Sequence, residues 1–374
     1  MSSSIFRIGQ TGDRPLSPLQ PGSPPIVAAL RYGITAPSAH NTQPWRIELV
    51  SDTEARVYFD PARRLPATDP PGRQVHISHG TLIEMTAIAA TSLGYRTEAE
   101  LLPGGEMAVP DFGTKPTAVI RLVDDPAVAV DPLFAQILTR RTSRLAHQGP
   151  PLTDSEREQI AAQAQLFPGV TVGFVPQGQL AAVLDIAARA MAIEVNDHDL
   201  FDETRQWFRF SDREIAQKGD GLHFGTSGLS GLSLQLARWF TRPRNWDKSY
   251  NRGPYLKGFV DSVKSSRAML TLTTPANTMR EWITTGRCYM RAQLAADRLG
   301  LRFQPTSQVL QEYPQMDELR VQTEHLLGVD PPAKIQMLVR VGRTRQPGLS
   351  PRRNLSTIIQ TRSGRAPASQ PKAS

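Results

Sequence analysis

The spacing of apolar residues divides the chain into extended and helical stretches. Trp45-Arg-Ile-Glu-Leu-Val50 alternates apolar with polar side chains, the pattern of a half-buried strand. Residues 118–123 and 335–341 are apolar and rich in β-branched side chains, and each predicts a further strand. Leu180, Val183, Leu184, Ala187, Met191 and Val195 recur at helical spacing and predict one buried face over 180–195. Leu152-Thr-Asp-Ser-Glu156 carries a helix start, because Thr153 can cap and Glu156 stands three residues on. Gly219, Gly221, Gly225, Gly228 and Gly231 predict a mobile loop, a candidate lid. No Gly-Lys-Ser/Thr closes it, which excludes a Walker phosphate loop.

One pattern occurs twice. Residues 80–96 and 286–302 coincide without gaps at Gly80/Gly286, Ala89/Ala295, Ala90/Ala296, Leu93/Leu299, Gly94/Gly300 and Arg96/Arg302. Each segment reads as a helix stopped by a glycine, Gly94 or Gly300, with one of the strands downstream. Ala-Ala and Leu-Gly pairs are common, so the identities alone leave chance open. The shared order of helix, glycine stop and strand favours one α+β unit present twice, over 26–130 and 131–355. Residues 1–25 and 356–374 are rich in Ser, Pro and Gly and are expected to be disordered. The first of these also lacks the apolar stretch of a secretory signal.

Composition narrows the class. The 374 residues suit two domains, and 39% hydrophobic with 21% charged residues is ordinary for a globular protein. No apolar run is long enough to span a bilayer. The single cysteine, Cys288, excludes an internal disulfide and a cysteine-only metal site; inside the repeat helix it reads as a buried small hydrophobe. A cytoplasmic location is the default. The formal charge is +8, but the basic residues are not interleaved with aromatics, so nucleic acid is not expected as a partner. Arginines instead cluster at Arg140, Arg141 and Arg144 and over residues 340–353, which suits phosphate held bidentately. His76, His79 and Glu84 fit one helix but show no third ligand group. They read as helix-surface or interface residues, and no metal is expected. Residues 196–199 read as a polar helix end.

The densest chemistry lies in Ala36-Pro-Ser-Ala-His-Asn-Thr-Gln-Pro-Trp45. Pro37 and Pro44 stiffen the stretch and remove backbone donors. Between them Ser38, His40, Asn41, Thr42 and Gln43 crowd hydrogen-bonding groups at a strand entrance. Such a loop suits a planar, hydrogen-bonding ligand; the same residues also suit a side-chain-capped turn.

Pro37-Ser38-x-x-Asn41-x-Gln43-Pro44-Trp45 resembles the flavin-contacting loop of the nitroreductase superfamily. Arg140-Arg-Thr-Ser-Arg144 resembles that superfamily's opening basic element, and Ser350-Pro-Arg-Arg353 its late basic phosphate contact. Pro305-Thr-Ser-Gln308 resembles the segment along the flavin ring, and the twofold helix resembles the family's interface helix. The resemblance implies an α+β, nitroreductase-like fold, internally duplicated, with antiparallel-rich sheets packed around central interface helices. It implies FMN held by Pro37, Ser38, His40, Asn41, Gln43, Arg140, Arg141, Thr142, Arg144, Ser307, Gln308 and Arg352. The flavin N5 would carry the chemistry, so no side chain is assigned as catalytic. NAD(P)H is the implied donor, and a nitroaromatic, quinone or similar molecule the implied acceptor. The proline loop occurs only in the first copy and the double arginine only in the second; the start of the first copy, around residues 28–32, lacks it. The chain is therefore similar to the Acg branch: a fused pseudo-dimer, monomeric or homodimeric, with one FMN site kept and one lost. The alternative is a protein that binds or sequesters FMN without efficient turnover.

Overall fold

The computed structural model describes residues 13–227 and 231–360. The first half runs α1 (Pro25–Gly33), β1 (Trp45–Leu49), β2 (Glu54–Phe59), α2 (Arg73–Thr91), β3 (Tyr95–Leu101) and β4 (Pro116–Asp124). The second begins with α3 (Asp154–Ala164) and β5 (Thr171–Phe174). A helical excursion follows: α4 (Gln177–Asn196), α5 (His198–Gln206), α6 (Asp212–Lys218), α7 (Gly231–Phe240) and α8 (Ser249–Lys264). The half is completed by β6 (Ala268–Thr274), α9 (Met279–Arg298), β7 (Arg302–Pro305), α10 (Asp317–Leu326) and β8 (Lys334–Gly342). A two-residue strand, β9 (Ile359–Gln360), comes last.

The strands form two sheets, ordered β3-β4-β2-β1-β9 and β5-β6-β8-β7. Read from the strand after the central helix, both are third-fourth-second-first, with every pairing antiparallel except the parallel β1–β9 contact. The repeat seen in the sequence is thus a repeat of topology, as the α+β expectation required. Helix α2 packs on the first sheet and α9 on the second, and the two helices pack on each other.

The matched glycines sit where α2 and α9 cross. A Cβ on Gly80 would lie 1.9 Å from the Ile283 carbonyl oxygen, and one on Gly286 would lie 1.9 Å from that of Ile77. Any side chain there forces the backbones apart. Beside the crossing, Glu84 of α2 pairs with Arg287 and Arg291 of α9, both at 2.9 Å, and Arg291 continues to Asp131. Gly94 and Gly300 follow these helices with φ of +83° and +72°, which explains why glycine stops both. Thr153 and Glu156 form the expected capping box. Cys288 is buried, and Asp197 caps α5 after the end of α4.

Several expectations need correction. Residues 1–12 and 361–374 lie outside the described residues, but the stretches next to them are tied into the fold. Arg14 is buried, donates its backbone N–H to Leu138 O, and donates its guanidinium to Ser350 O. At the other end, β9 hydrogen-bonds along β1. The expected mobile loop is anchored over residues 219–226: Asp220 and His223 are buried, and Asp220 pairs with Arg63 and Arg209. Residues 228–230 lie outside the description. Of the helix-surface or interface readings, the surface one fails, because His76 and His79 are buried; His76 lies 5.9 Å from Trp282 of α9, and His79 lies 2.9 Å from Pro44 O and 2.8 Å from Thr117 Oγ1. Burial holds both imidazoles neutral, pushing His76 down to about 3 and His79 to about 4. Residues 28–32, compared above with the arginine element, lie in α1. That helix packs on α2 as α3 packs on α9, so the counterpart of Arg140–Arg144 would precede α1. No helix among the described residues is long and apolar enough to cross a membrane.

Candidate functional site

The proline loop, expected to be stiff, is also strained, which the sequence did not indicate. His40, Asn41 and Gln43 take φ of +47°, +55° and +52°, a left-handed conformation that non-glycine residues rarely adopt. Such strain persists only where the surroundings over-determine it. Here Ser38 Oγ accepts from Gln43 N at 2.9 Å, and Ser78 Oγ of α2 accepts from Ala39 N at 3.1 Å. Arg63 donates to Thr42 O at 2.6 Å.

The side chains of Asn41 and Gln43 bind the halves together rather than face open space. Asn41 Nδ2 donates to Gly221 O and Pro351 O, and its Oδ1 accepts from Arg352 at 2.8 Å. Gln43 Nε2 donates to Gly219 O at 2.9 Å, while its Oε1 accepts from Arg353 N at 2.9 Å. The amide N–H groups of both are taken up by backbone carbonyls, and each side-chain oxygen accepts one hydrogen bond from an arginine. Arg141 is likewise turned to backbone, donating to Leu138 O, Thr139 O and Arg140 O.

Arg140 and Arg352 meet at one acceptor. Thr35 O takes hydrogen bonds from Arg140 at 3.3 Å and from Arg352 at 2.9 Å. A chain of contacts therefore runs Asn41–Arg352–Thr35–Arg140, linking the loop of one half to the arginine element of the other. Arg14 joins the group: the charges of Arg352, Arg140 and Arg141 repel its own, and those of Arg140 and Arg141 repel that of Arg352. Arg14 is 5% and Arg140 2% exposed. Burial, reinforced by mutual repulsion, holds Arg14 and Arg352 well below the ordinary guanidinium pKa, and burial lowers Arg140. The Nε–H of each of the three is buried without a hydrogen-bond partner, and none of the three forms an ion pair among the described residues. Clustered cations with spare donors are a place where an anion carrying several oxygens would be strongly stabilised.

A cavity of about 540 Å³ opens beside this cluster, within the size range of small-molecule and cofactor sites. Of the sequence-assigned residues, Pro37, Ser38, His40, Thr142, Arg144, Ser307 and Gln308 line it; Asn41, Gln43, Arg140, Arg141 and Arg352 stand behind it. Arg144 makes no side-chain hydrogen bond or ion pair with the described residues, although burial lowers its pKa. Its charge and burial together push His40 down to about 4, with burial the larger cause, so that imidazole is neutral at pH 7. Tyr289 of α9 lies in the field of both Arg140 and Arg144, and its buried hydroxyl has no partner among the described residues. α2 supplies Gln74, Ile77, Ser78 and Thr81 to the wall. The far end is aromatic: Phe201, Phe208, Phe224, Trp246 and Tyr255 of the excursion close it, with Phe201 stacked on Trp246 at 4.9 Å.

Sequence reasoning missed three participants. Arg14 gave no signal, since it sits in a Pro- and Ser-rich stretch. Tyr289 falls one helical turn after Gly286, and a tyrosine at the helix crossing was a readable hint. Glu194 stands three residues after Met191 on the apolar face of α4, where an acid is out of pattern.

No family model matches the chain. It is 30% identical over 189 residues to the "Putative NAD(P)H nitroreductase Rv3131" of Mycobacterium tuberculosis strain H37Rv, covering 50% of this chain and 52% of that protein. The chain thus spans about half the length of that relative. It is 24% identical over 346 residues to the "Probable NAD(P)H nitroreductase PigM" of Serratia sp. strain ATCC 39006, covering 89% of this chain and 92% of the other. Among solved structures, it is similar to the FMN-dependent nitroreductase NfnB of Mycobacterium smegmatis in complex with NADPH, with a TM-score of 0.38 and 16% identity over 60% of this chain and 95% of the other.

Proposed function

We propose that the chain belongs to the nitroreductase superfamily and is an FMN-dependent oxidoreductase taking electrons from NAD(P)H and passing them to a nitroaromatic, quinone or similar acceptor. The observation that carries this reading is the meeting of Arg140 and Arg352 on Thr35 O, with Arg14 beside them and no carboxylate of the described residues paired to any of the three. Arg14, Arg140 and Arg352 would hold a phosphate dianion by offsetting its charge and donating their spare Nε–H groups. Bound FMN supplies the electron chemistry. Ser38, Thr142, Ser307 and Gln308 present hydroxyls and amides along the cavity for ribityl oxygens and the ring's polar edge. Arg144 places an unpaired positive charge in the same space, and neutral His40 adds a donor or acceptor without adding charge. Both halves of one chain line the cavity, so no second copy is needed to complete it.

Purified protein is expected to be yellow, and to lose its flavin when Arg140→Ala and Arg352→Ala are combined. Each charge-assisted hydrogen bond is worth about 1.5–3 kcal/mol, or a roughly 10- to 100-fold weaker Kd for FMN. Full flavin content in the double variant would overturn the phosphate assignment.

The helical excursion favours a second reading, in which FMN is stored rather than turned over. Helices α4, α5 and α8 wall one end of the cavity, where a nicotinamide or acceptor would have to enter. Anaerobic stopped-flow with NADPH and NADH separates the two: bleaching of the flavin supports turnover, and no bleaching near saturation supports storage.

A further inference from the structure

Helix α4 carries one acid on its buried face. Glu194 is 4% exposed, lines the cavity, and its Oε2 has no hydrogen-bond partner among the described residues. The side chains sharing this end of the cavity are Met191, Phe201, Phe208, Trp246 and Tyr255, all from the excursion. They form one packed aromatic wall of the chamber, in which Trp246 stacks on Phe201 at 4.9 Å and meets Phe208 at 5.0 Å and Tyr255 at 5.7 Å at tilted or edge angles. Tyr255 lies in the field of both Arg144 and Glu194, so the cavity runs from a cationic end to a carboxyl end past this phenol.

We propose that this chamber is the acceptor subsite, that it takes neutral planar aromatic molecules bearing a hydrogen-bond-accepting oxygen, and that the Glu194 carboxyl donates the hydrogen bond that orients that oxygen. The assignment to the acceptor rests on the flavin reading above; the ligand chemistry does not. Aromatic walls favour a planar ring by offset and edge contacts. A buried acid with an unsatisfied oxygen favours a neutral carbonyl or nitro group over a carboxylate. The same logic keeps other buried carboxylic acids neutral so that they donate.

Every group facing Glu194 is consistent with this. Burial is the largest influence and raises its pKa to about 7; Gln311 hydrogen-bonds it and lowers it, and the charge of Glu203 raises it. Glu203 of α5 is occupied by Ala67 N, Thr68 N and Thr68 Oγ1. Gln311 Oε1 accepts from the Tyr313 hydroxyl at 2.9 Å. Burial raises Tyr313 and Tyr255, and His40 has already lost its proton far below neutrality, so none of these titrates between pH 6 and 8.5.

The test is calorimetric binding to the full chain as purified, without nicotinamide, using 1,4-naphthoquinone and 2-naphthoate. Naphthoquinone is expected to bind once per chain at pH 6 and to weaken about tenfold by pH 8.5 as the acid ionises. Glu194→Gln keeps a neutral donor, so its affinity is expected to stay within twofold over the same range. 2-Naphthoate is expected to bind at least tenfold more weakly at pH 6. If that variant does not fold, the wild-type pH profile decides, together with a shift of a protonated-carboxyl infrared band on ligand addition. A flat wild-type profile, an unshifted band, or the same slope in Glu194→Gln overturns the proposal. Flavin counted in the same sample keeps the two readings apart. Colourless protein with the expected pH slope removes the flavin reading alone, and yellow protein with a flat profile removes this one alone.

Discussion

The two halves share a strand order and a central helix but differ where a site has to be built. After α1 the first half runs through residues 35–44, with three left-handed non-glycine residues and the polar side chains of Thr35, Ser38, His40, Asn41, Thr42 and Gln43. After α3 the second half has Gln165-Leu-Phe-Pro-Gly-Val170, and this stretch closes on itself. Gln165 Nε2 donates to Val170 O at 2.6 Å and its Oε1 accepts from Val172 N at 3.0 Å. The second difference lies between the first two strands. Residues 50–53 make a short turn between β1 and β2, whereas α4 to α8 intervene between β5 and β6. Repetition therefore supplies the frame, while the site needs the loop of one half, the arginines of the other and helices that only one half possesses.

The frame should respond equally in both halves. Gly80→Ala and Gly286→Ala each place a Cβ against a backbone carbonyl of the opposite helix. Each is expected to cost about 3 kcal/mol or more in urea denaturation, since packing this tight relaxes only by moving backbone. A loss below about 1 kcal/mol in either variant would mean that the helices are not pressed together at this point.

This frame was legible because it rests on rules a sequence displays openly. Gly94 and Gly300 end helices, Thr153 and Glu156 begin one, and strand alternation marks Trp45 to Leu49. The matched glycines were visible as a repeat, although not as the crossing point. The site was legible in its members more than in their roles. Pro37, Ser38, His40, Thr142, Arg144, Ser307 and Gln308 do face one cavity. The roles of Asn41 and Gln43 depend on Gly219, Gly221, Pro351 and Arg353, partners far away in the chain that no local pattern reveals. Arg14 was hidden for the same reason: only the tertiary fold brings a residue from a Pro-rich stretch beside Arg352.

The excursion should give the second half a pH response that the short turn of the first cannot. Glu194 is raised to about 7 in the fold against an ordinary 4.5. An acid with a raised folded pKa disfavours the fold when ionised. Its penalty is absent below about pH 4.5, grows as pH rises, and is complete above about pH 7, reaching at most about 3 kcal/mol. Glu194→Gln is expected to remove that decline, read as denaturation midpoints from pH 5 to 8. An unchanged decline would place its origin elsewhere.

The loops should respond unequally. Asn41→Ala removes an acceptor from Arg352 and two links between distant segments, at an expected cost of about 2 kcal/mol together with loss of flavin. Gln165→Ala removes only local bonds and is expected to cost about 1 kcal/mol with flavin content intact. Equal flavin loss in the two variants would erase the difference between the halves. The smallest effects should again be symmetric. Gly94→Ala and Gly300→Ala meet no atoms and suffer only from their positive φ, so each is expected to cost about 1 kcal/mol by thermal denaturation.

The most direct measurement is the number of flavins per chain in purified protein, from its absorbance spectrum and protein concentration. One FMN per chain is expected, because in the proposed reading residues 35–44 and Arg140 complete a single site between them. Two per chain, or none after reconstitution with excess FMN, would contradict it.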